Sequence, residues 1–149
     1  ILVWRHFVKY LKKKKIKNSF FISLPPTSPL RSIKTVKKAI NHFKKNNFDL
    51  VVVINKSRKS PYFNIVKKNK DKLQIFSKKK KFIRRQDVPD TFEITTIAYV
   101  VNSKFILSQK PKNIFDGKVG FIETKNIIET IDIDDNYDFK LAKFFLKTK

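Results

Sequence analysis

The sequence predicts an α/β fold, in which strands and helices alternate along the chain. Short apolar runs typical of buried strands lie at residues 19–24, 49–55 and 95–102, with helix-like stretches between them. The run "DLVVVIN" (49–55) is apolar on both faces, which suits a parallel sheet covered on both sides by helices. At 149 residues the chain has the length of a single domain with one core.

Helices are predicted where apolar residues recur every three or four positions. They cover residues 2–15, 33–46 and 136–147, and a short stretch from Ser103, as the cap, to Ser108. Ser32 is placed to cap the second helix and Asp135 the last, with Asp138 positioned for a reciprocal bond. In the second helix the residues expected to face the core are Ile33, Val36, Ile40 and Phe43.

Further short strands are predicted at 62–67 and 72–76, within "DGKVGFIET", and over "ETIDID" (129–134). Gly117 and Gly120 are interpreted as part of a hairpin turn. Residues 56–90 are polar and rich in lysine, and we expect them to form an insertion or arm. The sequence contains no internal repeat and no clear linker, so we expect one domain that includes this arm.

The formal charge of +23 invites a nucleic-acid interpretation, but only five of the 35 basic residues are arginine. The chain is rich in lysine and also in asparagine, isoleucine and phenylalanine, a composition that is typical of AT-rich coding sequence. The lysine runs 12–15 and 78–81 are therefore interpreted as solvated surface. A basic module that binds nucleic acid or an anionic surface is the alternative function.

Four absences bear on the class, the N-terminus and the expected activity of the chain. No apolar run approaches the ~18 residues of a membrane helix, and no cysteine is present for disulfides. The chain contains no methionine and opens on a helical pattern at Ile1, so we expect it to lack its natural N-terminus. With only two glycines it offers no glycine-rich phosphate loop, and we expect these 149 residues alone to be inactive.

The first candidate site is the loop "LPPTSPLRS" (24–32), which follows a buried strand and precedes a helix. Ligands of α/β sheets bind beyond the carboxyl ends of strands, which is where this loop lies. Its prolines fix the backbone, while Thr27, Ser28 and nearby N–H groups could meet polar or anionic groups. A stiff turn that merely leads into the helix capped by Ser32 is the alternative.

The second candidate is acidic: five of the 12 carboxylates fall within residues 129–138. On a strand, Asp132 and Asp134 would point to the same face. Two close carboxylates repel unless a cation offsets them, and Mg²⁺ prefers such oxygen ligands. Surface exposure or helix capping is the alternative.

The third candidate is "RRQD" (84–87), in which adjacent arginines and an amide suit recognition of a carboxylate or phosphate. A surface pair that faces Asp87 and Asp90 is the alternative. His6 and His42 both fall on predicted helices and are interpreted as structural.

In this order, "LPPTSPLR", "RRQDVP…TTIAYV" and "IDIDDNYDFKLA" resemble the acylneuraminate cytidylyltransferase (CMP-sialic acid synthetase) family. The resemblance implies the C-terminal portion of a nucleotide-diphospho-sugar transferase fold, Rossmann-like with a mixed sheet and a dimerisation arm at about 56–92. It implies Mg²⁺-dependent transfer of CMP from CTP to a nine-carbon or similar α-keto acid sugar, with release of pyrophosphate. It further implies a cytoplasmic homodimer with no nucleic-acid or membrane partner, although a non-catalytic relative is also compatible with these motifs.

The resemblance also assigns roles to residues. Asp132 and Asp134 match the family's metal-binding, catalytic aspartates. The positions matched to substrate binding are Thr27, Ser28, Arg31, Arg85, Gln86, Thr95 and Thr96. Three positions depart from the usual sialate pattern: Pro25 stands for a glutamine, Glu93 for an arginine, and Thr95-Thr96 for Asn-Gly. These departures leave the identity of the acid sugar open.

Overall fold

The computed structural model describes residues 1–77, 82–108 and 111–148. The predicted lysine run 78–81 lies outside the described residues. The helices are α1 (Leu2–Lys13), α2 (Ile33–Lys45), α3 (Ser103–Leu107) and α4 (Asn136–Lys147). The strands are β1 (Phe20–Ser23), β2 (Leu50–Lys56), β3 (Val66–Asn69), β4 (Lys72–Ile75), β5 (Phe92–Asn102) and β6 (Val119–Glu123). The predicted α/β class is confirmed.

The main sheet has the strand order β1-β5-β2-β6. β1 and β5 are antiparallel, with Phe20 opposite Asn102, whereas β2 and β6 are parallel. β5 also runs against β2, because Thr95 Oγ1 donates to the Val53 carbonyl near one end and the Asn102 N–H donates to the Asp49 carbonyl near the other. The sheet is therefore mixed, and β1, β2 and β6 end at the same edge.

The core lies on both faces of this sheet. Leu50 and Val52 belong to a cluster that includes Val8 of α1 and Ile106 of α3. Val51, like Val53, belongs to a second cluster, which includes Ala39 of α2. Side chains alternate along a strand, so β2 is buried on both faces, as its unbroken apolar run predicted. Each fully buried Val or Leu contributes about 1.5–3 kcal/mol relative to exposure.

The predicted caps of the two long helices α2 and α4 are confirmed. The Ser32 side chain accepts the Thr35 N–H, and Asp135 and Asp138 form a reciprocal capping box on α4. The predicted cap of α3 was wrong by one residue: the Asn102 side chain accepts the Lys104 N–H at 2.9 Å. Ile33 is also not inward, since 74% of it is exposed.

Three further local predictions were wrong. The strand predicted over 62–67 is displaced, because β3 begins only at Val66. "ETIDID" is not a strand, because residues Ile127–Thr130 form a 3₁₀ turn and residues 131–135 belong to neither sheet. Gly120 is not in a hairpin turn but inside β6, beside β2. A Cβ at Gly120 would lie 2.6 Å from the Phe48 ring, so the glycine is needed for close packing rather than for a turn.

Residues 56–93 form a compact unit separate from residues 1–55 and 94–149. It contains the antiparallel hairpin of β3 and β4, with Val66 opposite Ile75. The rings of Tyr62 and Phe82 meet edge to face with centroids 4.9 Å apart. Within the described part of the chain, no helix has the length and apolarity needed to cross a membrane.

Candidate active site

The loop after β1 is fixed by contacts to two distant parts of the chain. Ser28 is buried, and its Oγ lies 2.5 Å from Thr96 Oγ1 on β5. The Thr27 carbonyl accepts the Ile133 N–H at 2.8 Å. These bonds bring "LPPTSPLR", "TTIAYV" and "IDID" together at the edge where β1 ends.

Arg31 and Asp132 each carry a buried polar atom that has no hydrogen-bond partner among the residues that the structure describes. Arg31 Nη2 donates to the Pro25 carbonyl, but Arg31 Nε has no hydrogen-bond partner among the described residues. Asp132 Oδ1 is likewise buried and unbonded within the described chain. Burial lowers the pKa of the Arg31 guanidinium, and the nearby Asp132 carboxylate acts in the opposite direction. Unpaired buried polar atoms cost free energy, so they mark a place that a ligand would satisfy.

Tyr99 belongs to the same cluster, although none of the three sequence motifs predicted a role for it. It lies on β5 opposite Ser23, and its ring centroid is 5.3 Å from that of Trp4. Burial raises the pKa of the Tyr99 phenol, and the negative charge of Asp132 raises it further. The sequence feature that could have indicated this residue is a tyrosine, with its polar hydroxyl group, inside the apolar run "AYVV".

We expect Asp132→Asn to lower the pKa of Tyr99, because the substitution removes one of the two causes of its upward shift. Spectrophotometric titration of the wild type, the variant and a Tyr99→Phe reference isolates this residue among the four tyrosines. The raised pKa makes the free energy of unfolding fall as the pH rises above about 10, where the unfolded phenol ionises first. An unchanged Tyr99 titration in Asp132→Asn would contradict the proximity of the two groups.

Asp134 differs from Asp132 in its surroundings. It is exposed, and its N–H donates to Asp138 Oδ2 at 3.1 Å, which ties it to the start of α4. Residues 1–77, 82–108 and 111–148 contain no group of three or more His, Cys, Asp or Glu side chains that could hold a metal ion. A pair of carboxylates would leave the other positions on Mg²⁺ to waters and phosphate oxygens, which is how this ion is usually bound.

The two adjacent threonines of β5 have different partners. Thr95 is buried, and its hydroxyl donates to the Val53 carbonyl at 2.9 Å. Thr96 is half-buried and bonds to Ser28 of the loop. Thr96 therefore contacts the loop, whereas the hydroxyl proton of Thr95 is donated to a hydrogen bond within the sheet.

A buried hydrogen-bond network supports the segment that carries Asp132. Thr35 Oγ1 donates to Glu129 Oε2 at 2.6 Å, and Asn126 Nδ2 donates to Glu129 Oε1 at 3.3 Å. Glu129 is only 6% exposed. The network holds the 3₁₀ turn before Asp132 against the first turn of α2, and nothing local in the sequence indicated it.

No protein-family model matches the sequence. The chain is similar to post-translational flagellin modification protein B of Campylobacter coli, with 30% identity over 129 residues. This match covers 86% of the chain and 53% of that protein. The chain therefore spans about half the length of the curated relative it matches.

Two synthetases are among the solved structures that share the fold. One is CMP:2-keto-3-deoxy-manno-octonic acid synthetase complexed with CTP, with a TM-score of 0.63 at 9% identity over 97% of this chain and 68% of that one. The other is 4-diphosphocytidyl-2C-methyl-D-erythritol synthase from Anaerococcus prevotii, with a TM-score of 0.58 at 17% identity over 93% of this chain and 64% of that one. At these identities the likeness shows the fold alone.

The three motifs predicted a nucleotide-diphospho-sugar transferase fold, and the fold shared with these two synthetases agrees with that prediction. The mixed α/β sheet agrees with the fold expected for a CMP-sugar synthetase.

The arm residues matched to CMP-sugar synthetases lie in the unit formed by residues 56–93. Arg85 and Gln86 are exposed on a 3₁₀ turn, Arg85–Asp87. Arg85 lines a polar cavity of about 190 Å³ together with Arg58 and Lys59. Glu93, one of the departures from the sialate pattern, accepts a hydrogen bond from Ser57 Oγ at 2.6 Å. The substrate roles of Arg85 and Gln86 stay predictions.

Proposed function

We propose that the full-length protein transfers CMP from CTP to the anomeric hydroxyl of a nine-carbon or similar α-keto acid sugar. The sugar oxygen attacks the α-phosphorus, the bond to pyrophosphate breaks, and the hydroxyl proton is lost. One observation carries the proposal: the loop, β5 and the segment of Asp132 meet at the edge where β1 ends, and two buried polar atoms there have no hydrogen-bond partner in the described part of the chain. Ligands of α/β sheets bind at this kind of edge.

The residues present fit a divalent cation. Asp132 offers a buried carboxylate oxygen that makes no hydrogen bond within the described ranges, and Asp134 lies two residues away. Both supply the oxygen ligands that Mg²⁺ prefers. In the proposal these two aspartates hold Mg²⁺, which when bound would neutralise negative charge on the triphosphate.

The remaining proposed roles belong to the protein's own groups. The Thr27–Ser28 segment, fixed by its bonds to Ile133 and Thr96, positions the nucleotide and the sugar. The buried Arg31 Nε–H, which has no hydrogen-bond partner among the described residues, is available to an anionic oxygen. From the arm, Arg85 with Gln86 recognises the sugar carboxylate.

The acid sugar is proposed to differ from the common sialates. Pro25, Glu93 and Thr95 stand where an amide, a cation and an asparagine are usual, and Glu93 is already bonded to Ser57. Each lost charge-assisted contact is worth about 1.5–3 kcal/mol. The Campylobacter coli relative is named for the post-translational modification of flagellin, so acid sugars that could modify that protein belong in the substrate panel.

The test is pyrophosphate release by the full-length protein with CTP, Mg²⁺ and a panel of eight- and nine-carbon α-keto acid sugars. We expect release that requires both CTP and one class of acid sugar. If no sugar of the panel supports pyrophosphate release and the protein binds arbitrary DNA in a salt-sensitive way, a basic nucleic-acid module is favoured instead.

A further inference from the structure

A cavity of about 710 Å³ lies at the edge of the sheet where β1 begins and β5 ends. This is the edge opposite the candidate active site. Its walls come from the end of α1, the segment that leads into β1, and α3. Its volume is in the ~300–1,000 Å³ range of small-molecule pockets.

The surface of the cavity is mainly apolar. Val8 and Leu107 form part of the lining, and both belong to the core of this face or pack against it. Ile16 also lines the cavity, yet 52% of it is exposed to water. An apolar ligand chain that covered Ile16 would remove this surface from water, which is favourable.

The walls are held in place by hydrogen bonds. The chain turns sharply after α1 at Lys15, whose φ is 59°, and the Ile16 N–H donates to the Leu11 carbonyl at 3.0 Å. Asn18 Nδ2 donates to Ser103 Oγ at 2.8 Å and so links the two walls. The cavity is therefore formed before any ligand binds, which reduces the entropic cost of binding.

The charged groups around the cavity are all cationic. The lysines that line it are Lys12, Lys15, Lys17 and Lys104. Within the described residues, no aspartate or glutamate lines the cavity and no salt bridge neutralises these four lysines. The last carbonyls of α1 already accept N–H groups from residues 14–16, so the lysines are not required to pair with them.

We propose that this cavity binds a free single-chain amphiphilic anion, such as a medium- or long-chain alkyl carboxylate. The alkyl chain lies against Val8, Ile16 and Leu107, and the anionic head meets the lysines. This site is separate from the candidate active site, and the proposal does not depend on CMP transfer.

The test is calorimetric titration of the full-length protein with dodecanoate below its micelle-forming concentration. We expect one saturable site, binding at least about fivefold weaker for neutral dodecanol, and no detectable binding of acetate. Ile16→Gln should weaken dodecanoate binding about tenfold, because it removes apolar contact at an exposed position where folding is not at risk. The double variant Lys12→Gln/Lys104→Gln should weaken it about fivefold.

The matched control is Lys140→Gln/Lys143→Gln on α4, which should bind dodecanoate as the wild type does. Unsaturable binding, or an equal loss of affinity in this control, would show a general effect of lysine charge and overturn the proposal. Wild-type affinity in Ile16→Gln would also overturn it. Binding to anionic vesicles without binding to free dodecanoate would assign the surface to a membrane instead.

Discussion

Asp132→Asn is expected to reduce kcat/KM for CMP transfer by about 10²–10³, the usual effect of removing one group that stabilises transition-state charge. Asparagine keeps the shape of the side chain and removes its charge. Asp132 Oδ1 makes no hydrogen bond within the described chain, so the substitution breaks no bond at that atom. The loss should therefore appear in activity rather than in folding.

The measurement is the rate of pyrophosphate release at saturating Mg²⁺, with the fold of each variant checked by circular dichroism. Asp71→Asn is the matched control, because Asp71 is exposed in the turn between β3 and β4. The control should keep wild-type activity. A folded Asp132→Asn variant within about threefold of wild type would exclude the proposed role of this carboxylate.

Leu50→Ala is expected to lower the free energy of unfolding by about 2–5 kcal/mol, the cost of deleting a large buried side chain and leaving a cavity. Leu50 is fully buried at the start of β2, among Val8, Val101 and Ile106. The strand leaves little room for collapse, because its neighbours Val51 and Val53 are fixed in the opposite core cluster.

Thermal and urea unfolding measure this effect, and the expected loss corresponds to about 4–20 °C in Tm for a domain of this size. Leu73→Ala makes the same chemical change at a side chain that is 68% exposed, in the hairpin. This control should change stability by no more than about 0.5 kcal/mol. Equal effects of the two substitutions would mean that β2 is not the centre of the core.

The parts of the fold that depend on local chemistry were predictable. Ser32 and Asp135 are short polar side chains that directly precede an apolar periodic run. Each caps its helix because its side-chain oxygen can accept a backbone N–H two or three residues further along the chain. The unbroken apolar run of β2 indicated burial on both faces, because successive side chains of a strand point to opposite faces of the sheet. Asn102 and Ser103 are both good caps, so the start of α3 was ambiguous by one residue.

The errors came from contacts between distant parts of the chain. Residues 127–133 do not form a strand because Glu129 is held by Thr35, 94 residues away in sequence, and the Ile133 N–H bonds to Thr27. Parallel pairing of β6 with β2 placed Gly120 against Phe48. The motifs named the segments that meet at the candidate site, but the proximity of Tyr99 and Arg31 to Asp132 appeared only in three dimensions.

The central claim is that the site accepts CTP and a sugar bearing a carboxylate. Mass spectrometry of the product tests it most directly, using the full-length protein, CTP, Mg²⁺ and an α-keto acid sugar beside its analogue with the carboxylate reduced to an alcohol. We predict a product with the mass of the acid sugar joined to CMP with loss of water, and none from the neutral analogue. Equal transfer to both sugars, or no CMP-sugar from any acid sugar of the panel, would contradict the account.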